Sequence, residues 1–167
     1  MNNKFFLNIL IFLLSFLQFS CVSKNKTERI IVGSSGKIES LDPARATTLK
    51  SFQLLASLGD TLYELDSNGE LIPKLASGMP ILSDDNLQIS INLKENILFH
   101  DGTKFNSKAM KFSIDRFRRI GLNKYILGDR IKSIETPAEY EIIINLNKPS
   151  SSINGLLTSL NLTPISP

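Results

Sequence analysis

Apolar and polar residues alternate strictly between positions 87 and 93. Leu87, Ile89, Ile91 and Leu93 fall on one face, and Gln88, Ser90 and Asn92 on the other. A period of two predicts a strand with one buried face. The alternation returns at Tyr140, Ile142, Ile144 and Leu146. With residues 131–135 before it, across Thr136-Pro137-Ala138-Glu139, it predicts a two-stranded hairpin. Elsewhere the period lengthens. Leu49, Phe52, Leu55, Ala56, Leu62 and Tyr63 are spaced mostly by three or four. That spacing predicts an amphipathic helix over about 47–62, with Thr47 or Thr48 as its cap. A second helix is expected over 107–119, where Asn106 or Ser107 offers a cap.

Turn chemistry separates these elements. Residues 27–33 (TERIIVG) predict a first strand, closed by Gly33-Ser34-Ser35-Gly36. SLDPA (40–44) is a turn, because Pro43 disfavours helix at Asp42. Asn68-Gly69 readily takes positive φ and should join short strands at 63–65 and 70–72. After Pro73, LASG (75–78) reads as a short helical piece. In FHDGTKFNSKAMKFS (99–113), Asp101-Gly102 supplies a turn, with Phe99, Phe105 and Phe112 packed beneath and His100 at the surface. The tail carries a helical core over 153–160, with no capping helix or final strand to close a domain. The chain is therefore expected to stop mid-structure.

The amino terminus has a different pattern. Lys4 is the only charge in the first twenty residues, and 5–19 run apolar except for Asn8, Ser15 and Gln18. Fifteen residues make about 22 Å of helix, short of a hydrocarbon core of ~30 Å. Residues 1–20 thus read as a signal peptide rather than a membrane span. Ser20-Cys21 at its end resembles a bacterial lipoprotein cleavage site. That pattern prefers Leu three residues before the cysteine and a small residue two before; Gln18 and Phe19 stand there. Two readings stay open: acylation of Cys21, with 22–28 as a tether, or ordinary export with cleavage nearby.

Composition narrows the chemistry. Apolar residues make up 42% and charged residues 21% of the 167 positions, which is ordinary for a chain that builds a core. The formal charge of +3 gives no footprint for nucleic acid. Arg116, Arg118 and Arg119 read as one solvated helix face. One cysteine and one histidine supply neither a disulfide nor a structural metal site. His100-Asp101 lacks a nucleophile motif and a second histidine, and neighbours in an extended segment point to opposite faces. The pair reads as part of a turn, and no enzymatic activity or cofactor is expected.

Joined in order, SLDPA, LYELDSNGELIPKLASG and LQISINLKENILFHDGTKFNSKAMKFSIDRF resemble the amino-terminal part of the family 5 solute-binding proteins. The resemblance runs over 29–167. One departure lies at 106–110, where the family usually reads Thr-Ala-Glu-Asp-Val. Asn106, Ser107, Lys108, Ala109 and Met110 stand there, without the acids that complement a helix amino terminus.

The resemblance implies a mixed α/β fold of the type II periplasmic-binding-protein kind. This chain would hold the start of lobe I and its inserted subdomain, with the second lobe absent. It implies an extracytoplasmic receptor that captures a solute, most often a peptide, between two lobes and delivers it to an ABC permease. Thr47, Thr48 and Leu49 match the segment that meets the bound peptide backbone from lobe I. Helix capping by Thr47 or Thr48 is an equal and compatible reading. Two alternatives are a truncated lipoprotein that binds no solute and, remotely, an exported hydrolase using His100.

Overall fold

Two isoleucine-rich strands supply the centre of the fold. In the computed structural model, which describes residues 30–33, 35–149 and 153–167, Ile89 and Ile91 of one strand lie opposite Ile144 and Ile142 of another. All four are buried. A buried side chain of this size contributes about 1.5–3 kcal/mol over leaving it in water. The period-two pattern therefore fixes which face of the sheet is wet.

The strands are β1 (Tyr63–Leu65), β2 (Leu71–Pro73), β3 (Ile81–Leu82), β4 (Gln88–Asn92), β5 (Ile131–Ala138) and β6 (Glu141–Leu146). β1 and β2 form a two-stranded antiparallel sheet. The other four form an antiparallel sheet in the order β3-β4-β6-β5. The helices are α1 (Leu49–Leu58), α2 (Ser107–Ile120), α3 (Lys124–Leu127) and α4 (Ile153–Leu157). Among the described residues, 36–167 form one core, in which α2 packs on β5 and β6.

α2 is held by its stripe of Met110, Ser113, Ile114 and Phe117, all buried. That is the i, i+3, i+4, i+7 face of an amphipathic helix. Asn106 caps it: its side chain accepts a hydrogen bond from the Ala109 N–H at 3.1 Å. Ser107 instead ties the helix to the end of β5, its hydroxyl donating to the Ala138 carbonyl at 2.7 Å. Tyr63 on β1 is fully buried and donates its hydroxyl to the Gly78 carbonyl at 2.8 Å. Burial pushes its pKa up to about 12.

Several expectations need correction. Residues 30–33 lie in no strand, and Ile30, Ile31 and Val32 are almost fully exposed. A strand needs a partner ladder, and no described strand pairs with them; 27–29 lie outside the described residues. LASG is not helical. Ala76 forms an antiparallel bridge with Leu93, and the Lys94 N–H donates to the Leu75 carbonyl, so the backbone extends the sheet. α1 ends at Leu58 rather than 62, because Leu62 and Tyr63 are needed in the core in extended form.

Phe112 is 38% exposed, whereas Phe117 is fully buried. Position 112 lies off the stripe that faces the sheet, and 117 lies on it. β5 runs on through Pro137 to Ala138, with a register shift between Glu135 and Ala138 that accommodates the missing N–H of proline. In the tail, Leu156, Leu157 and Leu162 are buried in the core. The expected signal peptide, the tether and Cys21 lie outside the described residues.

Candidate functional site

The surface carrying Thr47, Thr48 and Leu49 is built upward from Asp42. Its carboxylate accepts from the Ala44 N–H at 3.1 Å and so starts a 3-10 turn over Pro43–Arg45. The same carboxylate takes both arms of the Arg116 guanidinium from α2, each at 2.6 Å. A bidentate pair of this kind combines charge with directional hydrogen bonding. Arg116 holds the Asp42 carboxyl below the usual carboxylate range.

Two further elements fix the same loop. From the tail, Asn161 donates its side-chain N–H groups to the Pro43 carbonyl at 2.6 Å and the Ala46 carbonyl at 3.0 Å. From the link after α2, the Leu122 N–H donates to the Ala44 carbonyl at 3.2 Å. Three separate regions thus converge on residues 42–46. The backbone leaves them extended at Ala46 and again at Thr48.

Thr48 caps α1, its hydroxyl oxygen accepting from the Ser51 N–H at 3.3 Å and donating to the Ser51 hydroxyl at 3.1 Å. Its hydroxyl is therefore engaged inside the protein. Thr47 and Leu49 are exposed on either side of it. The structure brings the three residues together as a rigid, solvent-facing ledge. Residues 42 to 46 carry the rigidity, and Asn161 and Arg116 supply it. The sequence reading missed both supports. Arg116 was expected on a solvated face with Arg118 and Arg119. It is paired with Asp42, Arg118 is paired with Asp115, and Arg119 is exposed. Partners 74 and 118 positions apart leave no local signal.

The stretch around His100 is a tight hairpin. Leu98 and Lys104 form an antiparallel bridge, the Phe99 N–H donates to the Thr103 carbonyl at 2.8 Å, and Gly102 sits at φ +85°. Phe105 is buried, and Phe99 meets it edge to face at 6.0 Å between ring centres. Asp101 accepts from the Thr103 N–H and hydroxyl at 2.9 and 2.7 Å. Hydrogen bonding from Ser166 and then Thr103 brings its carboxyl down to about 2.

Two shallow grooves, of about 310 and 290 Å³, meet beside this hairpin and share Leu58, Gly59, Phe99, His100 and Pro164. Neither is lined by Thr47, Thr48 or Leu49. Among the described residues no group of three or more His, Cys, Asp and Glu is placed to hold a metal ion. No described helix is long and apolar enough to cross a membrane.

The model of the bacterial extracellular solute-binding proteins, family 5 Middle, matches residues 70–166. The chain belongs to this family. Family 5 relatives include the glutathione-binding protein GsiB of Escherichia coli strain K12, 31% identical over 153 residues. The match takes in 90% of this chain and 29% of GsiB. Listeria monocytogenes OppA, solved bound to peptide, superposes with a TM-score of 0.73 at 22% identity, over 80% of this chain and 30% of its own. NikZ from Campylobacter jejuni, solved in complex with Ni(L-His), gives 0.63 at 28% identity, over 78% and 26%. The fold is thus part of a type II periplasmic binding protein, and the chain spans less than a third of the family 5 relatives it matches.

Proposed function

We propose that this chain supplies the ligand-facing ledge of an extracytoplasmic solute receptor for an ABC importer, and that its ligand is a peptide. The observation that carries the reading is the ledge itself, within a chain of family 5. Ala46 and Thr48 are extended and their loop is fixed from three sides. An extended peptide can add main-chain hydrogen bonds along such a segment, with adjoining side chains selecting the residue that fits. Thr47 and Leu49 are the groups free to meet it, while Thr48 keeps the helix start in place.

The likeness to GsiB and OppA supports a peptide-like solute. Capture requires a second lobe closing over the ligand, after which the closed receptor delivers it to a permease in the membrane. The leader at 1–20 exports the chain, and acylation of Cys21 tethers it. Several acyl chains at ~0.8 kcal/mol per buried CH2 make such a tether durable.

Titration of the chain from residue 21 with glutathione and a peptide mixture, followed by amide NMR, tests the reading. The expected result is weak, fast-exchange shifts confined to 46–50. Nanomolar retention would overturn the two-lobe mechanism. Absence of any shift at 46–50 would overturn the ledge and leave a lipoprotein that binds no solute. Intact mass of the membrane fraction reads acylation, which Cys21→Ser should abolish.

A further inference from the structure

A knob follows α2. Ile120, Leu122, Tyr125 and Ile126 are 37%, 54%, 67% and 47% exposed, four large apolar side chains within seven residues. Scattered exposed apolar residues are normal, but a contiguous group marks a contact surface. The knob is rigid. Gly121 donates its N–H to the Phe117 carbonyl at 2.8 Å, and a Cβ there would lie 2.5 Å from that oxygen. Gly128 closes the other side, packed against the Cα of Arg118. The core holds these apolar groups out into solvent.

The charged residues along this stretch are mostly basic. Between residues 116 and 132 stand Arg116, Arg118, Arg119, Lys124, Arg130 and Lys132, against Asp129 alone. Asp42 and Asp115 neutralise Arg116 and Arg118. Arg119, Lys124 and Lys132 are exposed. Apolar groups and a tyrosine with exposed cations close by in sequence match an anionic bilayer surface. The rings and methyls enter the headgroup boundary, and the cations meet lipid phosphates. Lysine and arginine stems reach that level while keeping their charge in water.

We propose that the knob at 120–126 docks on the anionic face of the membrane to which the amino terminus tethers the chain. The inference rests on the tether proposed above. Docking would add a second membrane signal to the anchor and fix the orientation of the ledge.

The chain contains no tryptophan, so one introduced tryptophan reports alone. The full chain carrying Cys21→Ser and Tyr125→Trp is reconstituted with vesicles of brominated phosphatidylethanolamine and phosphatidylglycerol. Leu65→Trp, on β1, is the control. Because both reporters share one amino terminus, their difference reads the face presented to lipid. Trp at 125 should be quenched roughly twofold more than Trp at 65, and Arg119→Glu/Lys124→Glu should erase the difference, as should neutral vesicles. Ile126→Trp replaces the reporter if Tyr125→Trp fails to fold by circular dichroism. Equal quenching at 125 and 65, or quenching indifferent to lipid charge, overturns the proposal and points to an acidic protein partner or a second copy. Since Cys21 is replaced throughout, failure of acylation leaves this readout intact, and the two readings fail separately.

Discussion

Arg116 reaches across 74 positions to hold the Asp42 carboxylate with two hydrogen bonds of 2.6 Å. Both side chains are about three-quarters shielded, at 22% and 24% exposure. Arg116→Ala should therefore cost about 1–3 kcal/mol, measured by urea unfolding, because it leaves a partly buried carboxylate without its donor.

The same pair has a pH signature. Asp42 is depressed below 3.8 in the folded chain. Its contribution is full above the unfolded value and disappears as pH falls through the lower folded one. The wild-type urea midpoint should drop from about pH 4 downward more steeply than that of Arg116→Ala. Asp66, Asp85 and Asp101 are depressed as well, so the difference between the two proteins isolates Asp42. Parallel profiles would show that the pair adds nothing in solution.

Asn161 is buried against two carbonyls. Asn161→Ala should destabilise by about 2–3 kcal/mol through their lost donor, and Asn161→Asp by more, since it turns a carboxylate toward them. Amide shifts at 46–50 should broaden in both variants. Sharp, unchanged signals there would mean that the ledge does not depend on the tail.

Two phenylalanines on α2 separate core from surface. Phe117→Ala should cost about 3–5 kcal/mol and Phe112→Ala well under half of that, by thermal or urea unfolding. Equal losses would place 112 in the core after all.

Gly102 has φ +85° with open space around it. Gly102→Ala should cost about 1–2 kcal/mol through backbone strain alone, and Gly102→Asn less, because asparagine tolerates that region. An alanine variant as stable as wild type would show that the hairpin rearranges.

Legibility followed the range of the interaction. β4, β6 and α2 were visible because their periodicity records which face is buried. The turns at Gly69 and Gly102 were visible because only certain residues accept positive φ there. The two-residue β3 was too short to show a period, and LASG was misread because its backbone hydrogen bonds go to Thr61 and Leu62 before it and to Asn92 and Lys94 after it. Of the site, Thr48 as cap was readable from local chemistry. Its supports were not, since Asp42, Arg116 and Asn161 are ordinary polar residues until the chain brings them together. Phe112 misled for a related reason: a phenylalanine near a motif says less than its phase on the helix.

The bond from Asn161 to Pro43 also orders events in time. It spans 118 positions, among the most distant contacts in the chain. Contacts of such separation form late, because the intervening loop must close before the bond rewards it. During synthesis at ~5–20 residues per second, the ledge stays unlocked until Asn161 has emerged.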